Sequence, residues 1–179
     1  MGGDRVEVRT LTVDALNAMP KAEFVACLGG IYEHSPWVAE QTAGERPFAG
    51  KKHIADRMRA AVENADDTAK LALIRAHPDL AGKLARAGTL SAESTREQAG
   101  LGLDRLSDAE FERFTGLNTR YRERFGFPFV ICVRLTDRPG IVAAFERRLE
   151  NDAEAEMAEA LRQIHHIARL RLDDLVTDS

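Results

Sequence analysis

The sequence predicts an all-α fold: a single compact domain of about eight helices with one short extended segment near 127–133. Three observations carry this. Apolar residues recur at spacings of three and four along most of the chain, which is helical periodicity. Those runs begin at capping residues or prolines and end at glycines or prolines. Only one run, Phe127-Pro128-Phe129-Val130-Ile131-Cys132-Val133, is β-prone. A lone run has no neighbour for its backbone groups, so it reads as an extended segment laid across helices.

In chain order, residues 1–10 read as a flexible arm, and Thr12 is an N-cap for a short helix ending near Pro20. A second helix runs from Pro20, at its first helical position, to Leu28, and is stopped by Gly29 and Gly30. His34-Ser35-Pro36 is a turn before a short helix over Trp37–Gln41, and 44–50 is a loop. Lys51–Glu63 places Ile54, Met58, Ala61 and Val62 on one helical face, and Asp67–Ala76 is a further helix. Ser107 with Glu110 forms a capping box for a helix to about Arg124, with Phe111, Phe114, Leu117 and Tyr121 at helical spacing. Pro139 starts a helix through Leu149, and strong helix formers make the last one, about Glu154–Val176.

With 179 residues, 44% hydrophobic and 30% charged, the chain is long enough for one core without disulfides or a structural metal, and too apolar for general disorder. No apolar run approaches the roughly 20 residues that cross a bilayer. The polar N-terminus carries no export signal and the C-terminus, Val176-Thr177-Asp178-Ser179, no peroxisomal one, which predicts a cytoplasmic protein that binds no membrane. Cys27 and Cys132 are then simplest as buried free thiols. The net charge of −4 argues against nucleic acid as a partner. Although 20 of the 25 cations are arginines, they are interspersed with acids, as in Arg120-Tyr121-Arg122-Glu123-Arg124. No His or Cys spacing suits a metal, and no glycine-rich phosphate loop is present.

Four stretches exceed what a plain helical domain needs. In His77-Pro78-Asp79-Leu80, the proline pushes His77 out of its helix and into a turn. Histidine is the usual proton-transfer group, though at a helix end it also serves as a cap or a surface group. Ser94, Glu97 and Gln98 share one helical face, either a hydrogen-bonding array for a small polar molecule or a solvated face. The 127–133 run either offers free peptide groups to a ligand or is a buried core strand. In the last helix Arg171 lies on the apolar stripe of Leu161, Ile164, Ala168 and Leu175, whereas Arg169 falls off it. A buried arginine needs a counter-charge or an anionic ligand.

These stretches, in this order, resemble the decarboxylases of 2-oxo-4-hydroxy-4-carboxy-5-ureidoimidazoline (OHCU). The matching text is Ser35-Pro36-Trp37-Val38-Ala39-Glu40, Arg46-Pro47-Phe48, His77-Pro78-Asp79-Leu80-Ala81-Gly82, Ser94-Thr95-Arg96-Glu97-Gln98, the run from Phe125 to Arg134, and Ile167-Ala168-Arg169-Leu170-Arg171-Leu172. It covers about residues 11 to 176, within one domain over 1–179. The resemblance implies an all-helical homodimer that converts OHCU to (S)-allantoin and carbon dioxide in urate catabolism without a cofactor. It makes His77 the catalytic acid/base. Pro78, Ser94, Thr95, Arg96, Glu97, Gln98, Phe129, Val130, Ile131, Cys132, Val133 and Arg171 become substrate-binding. Arg171 is then expected to compensate the charge of the anionic substrate. A relative acting on a related ureido or hydantoin acid, and a non-catalytic helical binding module, are the alternatives.

Overall fold

The computed structural model describes residues 10–82 and 88–179, so the N-terminal arm lies outside the described residues except for Thr10. Nine helices form among the described residues, one more than the sequence suggests. The first is α1 (Val13–Ala18), capped by the Thr12 hydroxyl, which accepts from the Ala15 N–H at 3.1 Å. It is followed by α2 (Lys21–Leu28), which begins one residue after Pro20, and α3 (Trp37–Ala43), two residues longer than expected. Next come α4 (Lys51–Glu63) and α5 (Asp67–Arg75). The second half holds α6 (Ala92–Gly100), α7 (Asp108–Phe125), α8 (Arg138–Leu149) and α9 (Ala153–Leu175).

Local chemistry explains these boundaries. Ser107 and Glu110 make the reciprocal capping box at the start of α7. That helix ends on Gly126 at φ +74°, a conformation open to glycine at little cost. Ser107→Ala removes the cap, with an expected cost of about 1 kcal/mol. Thermal melting followed by circular dichroism should then show a Tm lower by about 3 °C.

The apolar stripes meet in one core. In α4 it takes Ile54, Met58 and Val62, all essentially inaccessible, and in α9 it takes Ala160, Ile164, Ala168 and Leu172. The 23-residue α9 packs against α4 and α5 and so runs past the base of the His77 turn. Arg46 ties the first helices together, donating to the carbonyls of Leu16, Met19 and Ala43 with its guanidinium over the Phe24 ring. The Arg46-Pro47-Phe48 text thus has a packing role. No helix among the described residues is long and apolar enough to cross a membrane.

Two features depart from the sequence reading. Val176 leaves the last helix and enters β2 (Val176–Thr177), which pairs in parallel with β1 (Leu11–Thr12). This two-residue ladder joins the chain ends, and its long-range partner gives no local signal. Residues 128–132 form neither helix nor strand, as expected for a lone run, but Val133 belongs to a 3₁₀ turn, Val133–Leu135, that ends the extended stretch. Both cysteines are free; Cys132 is buried, while Cys27 is only half-buried.

Candidate active site

The His77 turn closes α5 and is pinned from two sides. The Gln98 side-chain oxygen accepts from the Ala81 N–H at 2.9 Å, and the Asn118 amide donates to the Leu80 carbonyl at 2.8 Å. Ala81 sits at φ +50°, rare for a residue with a side chain. Together these bonds fix the direction in which His77 leaves its helix.

His77 is buried, 6% exposed, and its Nδ1 lies 3.0 Å from the Leu73 carbonyl oxygen. A carbonyl only accepts, so Nδ1 carries the hydrogen and Nε2 keeps its lone pair. Burial, opposed by the Leu73 bond and the Glu33 charge, lowers the pKa of His77 to about 4. The ring is neutral at pH 7, a base with its tautomer already set.

Opposite stands Arg171 of α9, 6% exposed. Its Nε and Nη2 make a bidentate pair with Glu97 at 2.8 and 2.9 Å. Its Nη1 donates to Glu33 Oε2 at 2.7 Å and to the Gly30 carbonyl at 3.3 Å, and Nη2 also reaches Ser94 Oγ at 3.4 Å. All five guanidinium hydrogens are engaged within the protein. The counter-charges that the stripe position demands are therefore Glu33 and Glu97. Two carboxylates thus face this one guanidinium within the protein itself. Burial raises the pKa of Glu33, but the Ser91 hydroxyl and the Arg171 guanidinium outweigh it and hold the carboxyl below its usual range.

His77, Pro78, Ser94, Glu97, Gln98 and Arg171 line one narrow cleft. The extended run closes it with Phe129, Val130, Ile131 and Val133, and Leu80 and Ile167 add apolar wall. The cleft holds about 30 Å³, room for one or two waters. Larger cavities flank it, about 460 Å³ beside His77, Pro78 and Glu33, and about 570 Å³ beside Glu97 and Arg171. Three sequence candidates lie off the cleft. Thr95 and Arg96 are exposed, and Arg96 borders the 570 Å³ cavity instead. Cys132 is buried behind the wall, with its N–H bonded to Gln163 Oε1 at 3.0 Å. They miss because neighbours on a helix or an extended run point in different directions.

Glu33 is the residue the sequence reading missed. It is 2% exposed, in the turn between α2 and α3, and its second oxygen, Oε1, has no hydrogen-bond partner among the described residues, with His34 Nε2 3.6 Å away. The available signal is an acid beside Ile31 and Tyr32, directly before His34-Ser35-Pro36.

A sequence model described as OHCU decarboxylase matches residues 17–173. The chain belongs to the OHCU decarboxylase family. It is 43% identical over 162 residues to the 2-oxo-4-hydroxy-4-carboxy-5-ureidoimidazoline decarboxylase of Haloferax volcanii, covering 90% of this chain and 94% of that one. Among solved structures, a crystal structure of (S)-allantoin synthase superposes with a TM-score of 0.71 at 35% identity, over 93% of this chain and 54% of that longer one. A crystal structure of OHCU decarboxylase in the presence of (S)-allantoin gives a TM-score of 0.64 at 22% identity, over 88% and 98%, and shows the shared fold. This chain's fold is helical, as its sequence predicts.

Proposed function

We propose that this protein is a carboxy-lyase of urate degradation that converts OHCU to (S)-allantoin and carbon dioxide, with His77 as the catalytic acid/base. The observation that carries the reading is a buried, neutral histidine with a preset tautomer, Nδ1–H on Leu73, lining the same cleft as Ser94, Glu97 and Gln98. The family membership and the names of relatives that span almost the whole chain supply the substrate class.

The chemistry suits a site built only of side chains and peptide groups. In OHCU the leaving carboxylate is on C4, next to the C5=N double bond. As the C4–carboxylate bond breaks, its electron pair forms C4=C5, and the C5=N π pair moves onto nitrogen. The substrate is its own electron sink, so the protein need only orient, desolvate and move protons. His77 Nε2 takes the C4 hydroxyl proton, since the ring is neutral at rest, and then returns a proton to C5 from one face, while solvent supplies the one further proton that the ring nitrogen takes up as carbon dioxide leaves. The first transfer makes the carbonyl of allantoin; the second sets its hand. The Glu33 charge favours the imidazolium formed between them.

Pro78 packs beside the reacting centre. Ser94, Glu97 and Gln98 hold the ring and ureido groups, and peptide groups between Phe129 and Val133 take the ring amide edge. Arg171 acts by fixing Glu97. A molecule larger than one or two waters fills the cleft and extends into the adjoining cavities beside His77 and Arg171 or moves the walls between them. The proposal includes a homodimer in the cytoplasm, built from one domain over residues 1–179. Light scattering should give twice the chain mass.

Turnover of freshly generated OHCU tests the function. The protein should remove OHCU well above its spontaneous decay, and loss no faster than the buffer control refutes the reading. The profile of kcat/KM against pH tests the role of His77. Activity needs the neutral ring, so it should hold level as pH falls through 6.5 and decline only near 4. A decline centred at 6.5 contradicts the buried-base assignment.

A further inference from the structure

The wall formed by Phe129–Val133 has no ladder to hold it, yet its place in the cleft depends on a backbone fixed to a fraction of an ångström. Its outer edge is held by side chains. Arg148 Nη1 of α8 donates to the Val130 carbonyl at 2.7 Å, and Gln163 Oε1 of α9 accepts from the Cys132 N–H at 3.0 Å. Arg148 also lies over the Phe129 ring, 4.3 Å from its centroid, and that ring stacks on Phe145 at 3.7 Å.

The arginine is itself fixed. Its Nε donates to Glu156 Oε1 at 2.6 Å, Tyr121 Oη donates to the same oxygen at 2.5 Å, and Asn151 donates to Oε2 at 3.0 Å. Arg148 and Glu156 are 2% and 0% exposed, at a junction of α7, α8 and α9. A buried ion pair is a poor device for stability, because desolvation cancels most of its attraction. It is a good device for placing a carbonyl, since a guanidinium is a planar fork of fixed geometry.

In an extended run the N–H and C=O of one residue share an edge, and those of the next residue take the opposite edge. Val130 C=O and Cys132 N–H are on the held edge. Ile131 N–H and C=O are on the other, and no described residue bonds either of them. A donor beside an acceptor, neither bonded among the described residues, matches the amide edge of a ring.

We propose that Arg148, held by Glu156, and Gln163 are positioning residues for the reaction: they fix the outer edge of residues 129–132 so that the peptide edge of Ile131 faces the substrate. This deepens the decarboxylase reading and rests on it. Neither side chain touches the substrate; each acts through the backbone it holds.

The test compares the whole protein with Gln163→Leu and with the triple apolar replacement Arg148→Met/Glu156→Leu/Tyr121→Phe, which leaves no charge or hydroxyl stranded. Gln163 is half-buried, so its variant should fold and melt close to the wild type. The expected result is a KM for OHCU about tenfold higher with kcat within about threefold, the loss of one well-placed hydrogen bond. Amide hydrogen exchange of the ligand-free variant should speed up at Ile131 and Cys132 and stay unchanged in α7 and α9. The triple variant should show the same split. If it fails to fold, Gln163→Leu alone decides. A folded Gln163→Leu with wild-type KM, or with kcat reduced at unchanged KM, overturns the proposal. So does unchanged exchange at 131–132. If the wild type leaves OHCU untouched, the decarboxylase reading fails, and the exchange comparison still decides whether Gln163 holds the segment.

Discussion

Arg171→Leu should unfold about 10 °C below the wild type and lose at least a hundredfold in kcat/KM. The size follows from what is left behind. The guanidinium supplies five hydrogen bonds to groups that are themselves buried or nearly so, and its removal strands Glu33 and Glu97 together. Breaking a buried pair from one side costs about 3–5 kcal/mol, and a chain of this length loses about 2–4 °C in Tm per kcal/mol. The pH dependence should invert as well. In the wild type the Glu33 carboxyl is held below its usual range, so its ionisation stabilises the fold above that range, and the contribution is lost as pH falls through it. In the variant the stranded carboxylates fold more easily when protonated, so stability should rise as pH falls toward 5. Melting curves at pH 5 and pH 7.5 check both statements. A folded variant with wild-type Tm would mean that the two carboxylates have other partners.

His77→Asn should reduce kcat by about a thousandfold while leaving Tm nearly unchanged. A positioned acid/base group contributes 10²–10⁴-fold, and this one has the lone pair, the burial and the cleft position that the role needs. The ring bonds the Leu73 carbonyl, a bond that the asparagine amide can also make, so stability should hold. Kinetics on the folded variant, at saturating OHCU, separate this loss from any loss of binding.

Much of the fold was legible because its signals are local. The spacing of Ile54, Met58 and Val62 and the Ser107–Glu110 box each act within a few residues, and each appears where the sequence puts it. Burial of Arg171 was legible from its angular position on the last helix alone. Its partners were not. Glu33 lies 138 positions away in a turn with no period, and only the packing of that turn against α9 brings its carboxylate to the guanidinium. The same holds for β1 and β2, for Arg148 against Val130, and for Gln163 against Cys132: each pairing is a long-range consequence of helix packing. Thr95, Arg96 and Cys132 belong to contiguous motifs whose other members line the cleft, while they themselves point elsewhere, because direction alternates within a motif.

The claim that His77 Nε2 delivers the proton to one face of C5 meets its most direct test in the handedness of the product. The same fresh OHCU is given to the wild type and to His77→Asn, and the circular dichroism of the allantoin formed is recorded before it racemises. The account predicts (S)-allantoin from the wild type, and a slow racemic mixture at the spontaneous rate from the variant. Full rate and full handedness from His77→Asn would contradict it.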